Sequence, residues 1–163
     1  MSHHGSVLIV DDEPAIGAML QDHLALQGYK VDVALHGGDA VMLASLERPD
    51  AVILDLMLPD MSGEHIFHQL RALDGSIAIV LLTGMADETV ARRSVRAGAF
   101  DYLRKPPDFQ RLQAAVALAV VAGREKARAG TVVPFTSDRR IPPADAAAAE
   151  ATPTDLMRRP FPQ

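Results

Sequence analysis

Three aspartates stand where short apolar runs end. Asp11 and Asp12 follow Ser6–Val10, and Asp55 follows Ala51–Leu54. Thr83 closes a fourth run, Ile77–Leu82, ahead of Gly84, and Lys105 lies just past a fifth, Phe100–Leu103. Two carboxylates about 4 Å apart repel by ~4 kcal/mol at an effective dielectric of 20. A protein that gathers such groups needs a hard cation or a shared proton, and an all-oxygen set with room for water suits Mg²⁺. A single aspartate after a strand is adequately explained as a solubilising loop residue; an Asp-Asp pair converging on a third is not. An ammonium at Lys105 would offset the acids and could ion-pair with a bound phosphoryl group. The Thr83 hydroxyl can donate to an anionic oxygen, and Gly84 permits close backbone approach. Taken alone, Thr83 is an ordinary strand-end residue.

Convergence depends on the elements between these residues. The runs Ser6–Val10, Ala51–Leu54 and Ile77–Leu82 lack polar alternation, as strands buried on both faces do. Lys30–Ala34 alternates more and reads as an edge strand. Helical spacing fills the gaps. Pro14 suits a first turn, and Ile16, Leu20 and Leu24 recur up to Gly28. Asp39–Glu47, the stretch with Ile66, Leu70 and Leu73, and Asp87–Ala97 before Gly98 follow suit. Asp108 suits the cap of a last helix carrying Phe109, Leu112, Val116, Ala119 and Val120. Five βα units with right-handed crossovers predict a flavodoxin-like (βα)5 three-layer α/β sandwich, with a parallel sheet in the order 2-1-3-4-5. Strands one and three are neighbours in that order. Asp12 and Asp55, 43 residues apart in the chain, should therefore meet at the carboxyl edge of the sheet, where ligands bind in such folds.

The 163 residues, 48% of them apolar, suffice for one domain with a sizeable core. The absence of cysteine excludes disulfides and cysteine-rich zinc sites and fits a cytoplasmic protein. No apolar run approaches the ~20 residues needed to cross a bilayer, so membrane insertion is not expected. The start of the chain lacks the look of a signal peptide. His3 and His4 read as part of a loose end rather than a metal pair. The chain carries −5 overall, of which residues 124–163 contribute +2 and the first 123 residues −7, which argues against DNA as the main partner. The domain is expected over residues 1–128. Residues 129–163, rich in proline and alanine, are expected to form a disordered tail with no DNA-binding output domain visible. One or two helical turns are possible at Asp145–Ala151, and Leu156–Phe161 forms a compact basic and apolar cluster.

Four ordered motifs give these positions a context: Val7-Leu-Ile-Val-Asp-Asp-Glu13, Pro49-Asp-Ala-Val-Ile-Leu-Asp-Leu-Met-Leu-Pro-Asp-Met-Ser-Gly63, Leu82-Thr-Gly84 and Ala97-Gly-Ala-Phe-Asp-Tyr-Leu-Arg-Lys-Pro106. Over about Ser6 to Arg124 the sequence resembles the CheY-like receiver domains of two-component response regulators. The resemblance implies that Asp55 is the phosphoacceptor. It implies that Mg²⁺ binds to Asp12, Asp55 and the backbone carbonyl of Met57, with Asp11 binding directly or through water. It implies that Lys105 contacts the phosphoryl oxygens, that the Lys105–Pro106 bond is cis, and that Thr83 and Tyr102 move together as a switch. The phosphodonor would be a phosphohistidine on a sensor histidine kinase or a phosphotransfer protein. The altered surface of the fourth helix, fifth strand and fifth helix would engage a downstream protein target or a second receiver as a homodimer.

Some positions vary from the family pattern. Pro107 follows Pro106 where a bulky apolar residue is frequent, with Phe109 available to supply that packing. Met57 and Met85 flank the site and could restrict the hydrolytic water. Arg92, Arg93 and Arg96 make the fourth helix basic, either as a solvated face or as a contact for an acidic partner. Two other function classes fit the residues less well. An aspartyl-phosphate phosphatase usually carries a second acid two residues after its nucleophile; Met57 stands there, so a turnover enzyme is not expected. A binding module independent of phosphorylation has no use for the acidic cluster.

Overall fold

The computed structural model describes residues 2–132, with side chains up to Gly130. Five parallel strands form one sheet: β1 (Gly5–Val10), β2 (Tyr29–Ala34), β3 (Ala51–Asp55), β4 (Ala78–Thr83) and β5 (Asp101–Arg104). Their order is β2-β1-β3-β4-β5, the flavodoxin-like arrangement expected from the sequence. Five helices follow them: α1 (Pro14–Leu26), α2 (Gly37–Glu47), α3 (Gly63–Leu73), α4 (Glu88–Arg96) and α5 (Phe109–Val132).

Alternation along each strand sorts the core into two layers. Val7 and Ile9 of β1 join Ile53 and Val80 under Leu20 and Leu24 of α1 and Leu112, Val116 and Val120 of α5. Leu8 and Val10 join Leu54 and Leu81 under Ala40 and Ala44 of α2, Ile66, Phe67 and Leu70 of α3, and Ala91 of α4. Both faces of β3 and β4 are buried along their whole length, which explains why their sequences carry no polar alternation. Each of the large side chains stabilises by about 1.5–3 kcal/mol when fully buried.

Local signals end most elements. Gly28 and Gly98 take left-handed φ values of +92° and +113° just past α1 and α4, where a side chain would be strained. Ser62 caps α3 by accepting the His65 N–H at 3.2 Å. Asp108 caps α5, its carboxylate accepting the Arg111 N–H at 3.0 Å. Helix α5 sits against the foot of β3, where a Cβ at Gly123 would lie 2.1 Å from the Asp50 carbonyl oxygen and Arg124 pairs with the Asp50 carboxylate at 3.2 Å.

Two readings at the ends need correction. The N-terminus is not loose as far as His4: its N–H donates to the Gly28 carbonyl at 2.9 Å and its ring contacts the Gln27 carbonyl at 2.8 Å. Helix α5 continues through Val132, so residues 129–132 are helical rather than tail. The tail expected beyond, with Asp145–Ala151 and Leu156–Phe161, lies outside the described residues.

The start of α2 is set from a distance. Its N-cap residue His36 makes no side-chain cap. Instead the Asp60 carboxylate, from the loop after β3, accepts the Gly37 N–H at 2.9 and 3.2 Å. These bonds, joined by the Gly38 N–H and the charge of His36, hold the Asp60 carboxyl below the usual aspartate range. A depressed acid contributes stability above its unfolded pKa and loses it as pH falls through the folded value. Asp60→Ala is therefore expected to lower the urea midpoint near neutrality. The gap to the parent should close in acid, below the ordinary aspartate pKa of 3.8. A gap independent of pH would show that the carboxylate charge plays no part.

Candidate functional site

The carboxyl ends of β1, β3, β4 and β5 bring the sequence-derived residues together. Val10 pairs with Leu54, Asp55 with Leu82, and Thr83 with Arg104, so the residues just past these strands share one edge. Asp11, Asp12 and Asp55 each offer a carboxylate oxygen, and the three oxygens lie within 4.8 Å of one another. Asp11 and Asp55 are buried, at 0% and 1% exposure. Asp12 is partly exposed. The cluster is therefore walled by protein on one side and open to solvent through Asp12.

The two Asp55 oxygens have separate partners. Oδ1 accepts the Met57 N–H at 2.9 Å, and Oδ2 accepts from Lys105 Nζ at 2.6 Å. Lys105 reaches across from the loop after β5, over a cis peptide bond to Pro106. Its ammonium also stands 3.8 Å from Asp11 Oδ2. Burial pulls the Lys105 pKa down, but the Asp55 hydrogen bond and the charges of Asp55, Asp11 and Glu13 outweigh it, and the net direction is upward. The ammonium stays charged throughout the physiological range.

One lysine does not neutralise three acids. Asp11 Oδ1 accepts the Glu13 N–H at 2.9 Å, while the buried Oδ2 has no hydrogen-bond partner. Burial pushes the Asp11 carboxyl up; the Glu13 N–H and Lys105 pull it down; Asp55 and Asp12 add to the rise, and the net shift is upward. An orphaned buried carboxylate oxygen is costly unless something positive completes it. A hard divalent cation fits that position: the donors are all oxygen, two are buried carboxylates, and the open side admits water.

The remaining site residues are placed less directly. Thr83 is buried at the end of β4, and its hydroxyl donates to the Gly84 carbonyl at 2.9 Å rather than to the acids. Tyr102 packs at the margin of the core on the α4 side. Arg92 is held charged first by Glu88 and next by the Tyr102 hydroxyl. Glu88 also pairs with Arg104, tying α4 to β5. Tyr102, Leu103, Arg104, Pro106, Asp108 and Arg111 line a cleft of about 250 Å³. Arg93, one of the three arginines that make α4 basic, forms a two-pronged pair with Glu64 of α3 at 2.8 and 2.9 Å. Met57 and Met85 are exposed, at 62% and 89%. Sequence reasoning missed Asp60, whose partner lies 23 residues away with no local signal, and Glu88, whose i,i+4 spacing to Arg92 could have marked it although its second partner, Arg104, lies 16 residues away.

Known proteins share much of this sequence and fold. The chain is 41% identical over 103 residues to the Probable transcriptional regulatory protein TcrX of Mycobacterium tuberculosis, covering 62% of this chain and 43% of that one. It is 39% identical over 110 residues to the response regulator MprA of Mycolicibacterium vanbaalenii, covering 66% and 47%. The chain thus matches less than half the length of these curated relatives. Among solved structures, a response regulator receiver domain protein from Clostridium thermocellum superposes with a TM-score of 0.67 at 26% identity, covering 76% of this chain and 96% of that one. A CheY-like receiver domain protein from Methanospirillum hungatei does so with a TM-score of 0.70 at 26% identity, covering 74% and 97%. No helix among the described residues is long and apolar enough to cross a membrane. The response regulator receiver model itself matches residues 7–117, from within β1 through the other four strands to the start of α5, and the chain belongs to that family of two-component signalling domains.

Proposed function

We propose that Asp55 accepts a phosphoryl group from a phosphohistidine on a sensor histidine kinase or phosphotransfer protein, and that the modified domain signals by protein contact. Receiver domains of response regulators interact with histidine kinases and act as signalling modules rather than turnover enzymes. The observation that carries the proposal is the buried Asp55 carboxylate, one oxygen on Lys105 at 2.6 Å and its neighbour Asp11 left with an orphaned oxygen.

An Asp55 oxygen attacks phosphorus, the P–N bond to the donor imidazole breaks, and an acyl phosphate forms. Lys105 would follow the oxygens of the transferring group and hold their charge. Mg²⁺ on Asp12, Asp55 and the Met57 carbonyl, with Asp11 assisting, would screen the repulsion between carboxylate and phosphoryl group. Water later cleaves the acyl phosphate. The phosphoryl group brings roughly two negative charges. Thr83 then exchanges the Gly84 carbonyl for a phosphoryl oxygen, and Tyr102 follows into the space, which remodels the face built by α4, β5 and α5. That face would meet a downstream protein target or a second receiver. The −7 carried by the first 123 residues makes DNA a poor direct partner for the domain, and a cytoplasmic site of action goes with the kinase as donor.

The test is reaction with a small phosphodonor such as acetyl phosphate. Labelling should require a divalent ion, stop with a chelator, map to Asp55, and vanish in Asp55→Ala. Label retained by Asp55→Ala, or formed equally without metal, would overturn the assignment.

A further inference from the structure

The chain has no cysteine and seven methionines, so every sulfur it offers to an oxidant is a thioether. Two of these thioethers belong to the loops that border the acidic site. Met57 follows Asp55 by two residues, and its N–H donates to Asp55 Oδ1 at 2.9 Å. Met85 follows Thr83 by two residues and opens the 3-10 turn Met85–Asp87 after β4, the strand paired with β3. They are also the most exposed methionines among the described residues, at 62% and 89%, against 53% for Met42 of α2 and 45% for Met19 of α1. Met61 instead packs against the core. Side chains as exposed as Met57 and Met85 bury little apolar area, so packing does not account for them.

With Asp55 read as the phosphoacceptor, we propose that Met57 and Met85 form a redox-sensitive rim to the phosphorylation site. A peroxide oxidises them to methionine sulfoxide, and the oxidised rim shortens the life of the phosphoryl group. With hydrogen peroxide, the thioether sulfur attacks one peroxide oxygen. The S–O bond forms as the O–O bond breaks, and sulfur gives up two electrons. The hydroxide that leaves takes the proton from the transferred oxygen and departs as water. A thiol-dependent sulfoxide reductase reverses the change. The effect on lifetime follows from polarity. A thioether accepts hydrogen bonds only weakly, so the reduced rim offers little to hold water beside the site. A sulfoxide turns the same side chain polar, with an oxygen that accepts well. Two such oxygens would gather and orient water on the side from which it must attack the acyl phosphate. A chain without cysteine would thus couple oxidant to signal duration through methionine alone.

The test follows one label before and after oxidation. The full chain is phosphorylated with acetyl phosphate and Mg²⁺, the donor is removed, and decay of the acyl phosphate is timed. A second sample is first treated with hydrogen peroxide, with sulfoxides located by peptide mass spectrometry. Met85 and Met57 should oxidise well ahead of Met61. The phosphoryl half-life should then fall about 5-fold, the rate equivalent of one net hydrogen bond to the attacking water. Circular dichroism and melting should not change, because both side chains are exposed. Methionine sulfoxide reductase should restore the longer half-life. Each variant is compared with its own untreated sample. The Met57→Leu, Met85→Leu double variant should lose the response to peroxide, whereas Met19→Leu with Met42→Leu should keep it. A half-life unchanged once both residues are oxidised, or a shortening that survives in the Met57→Leu, Met85→Leu variant, would overturn the rim and leave Asp55 as the phosphoacceptor. A chain that takes no label on Asp55 before oxidation would sink both readings.

Discussion

Lys105→Met is expected to slow labelling of Asp55 by about 10²–10³-fold, the usual loss when one preorganised donor to a developing charge is removed. It should also destabilise the metal-free fold. Lys105 Nζ is 2.6 Å from Asp55 Oδ2 and 3.8 Å from Asp11 Oδ2, so its removal leaves two buried carboxylates with no cation beside them. Breaking a buried pair by deleting one partner costs about 3–5 kcal/mol. The Lys105 side chain is 25% exposed, and water screening brings the expectation to about 2–3 kcal/mol. The two effects separate by titration with Mg²⁺. A cation that binds only the folded state adds stability by mass action, so the melting deficit should shrink with Mg²⁺ while the labelling deficit persists. The pH sign is fixed by the raised lysine pKa: the pair's contribution is complete below lysine's ordinary 10.5 and disappears as pH climbs through the higher folded value. Across neutral pH the deficit should therefore stay flat. A variant with parental stability in chelator would show that the acids are not balanced by this lysine.

The same charge imbalance explains why the site could be read from sequence. Residue type and strand-end position alone suggested that Asp11, Asp12, Asp55 and Lys105 converge, because handedness leaves few orders for five βα units. Their meeting then follows from the pairings of β1 with β3 and β3 with β4. What stayed hidden was carried by long-range contacts. Helix α2 was expected from Asp39 and begins at Gly37, because its first free N–H finds Asp60 on another loop. Strand β4 closes at Thr83 as expected, but β5, expected over Phe100–Leu103, runs on beside it to Arg104. The 3-10 turn at Met85–Asp87 has no apolar period to announce it. Helix α5 outlasts its apolar pattern, since neither Glu125 nor Lys126 nor Arg128 opposes a helix. Thr83 was recognised by its place at a strand end, but the direction of its hydroxyl, toward Gly84, is a rotamer choice that sequence does not disclose.

Gly63→Ala should leave a folded protein that labels about 10²-fold more slowly, because misplacement of a reacting group by ~1 Å costs that much. Gly63 opens α3, and its N–H donates to the Leu56 carbonyl at 3.1 Å. A Cβ there would lie 2.4 Å from Leu56 Cα, 2.8 Å from the Leu56 oxygen and 2.9 Å from the Asp55 oxygen. All three are backbone atoms, so no rotamer can make room. The backbone they belong to is itself held, by the Leu56 N–H on the Leu82 carbonyl at 3.1 Å and the Met57 N–H on Asp55 Oδ1 at 2.9 Å. Relief must come from moving either α3 or the segment from Asp55 to Met57. The first disturbs Ile66, Phe67 and Leu70 in the core; the second moves Asp55, the proposed phosphoacceptor, and the Met57 carbonyl proposed as a metal ligand. Overpacking of this kind costs about 1–3 kcal/mol. Gly38→Ala is the matched control: it lies in a helix, has nothing within 4 Å of its Cβ, and should gain a few tenths of a kcal/mol, up to about 1, with labelling unchanged. A Gly63→Ala protein that labels at the parental rate would mean that the helix, not the loop, gives way. The helix start would then be free of the chemistry it borders.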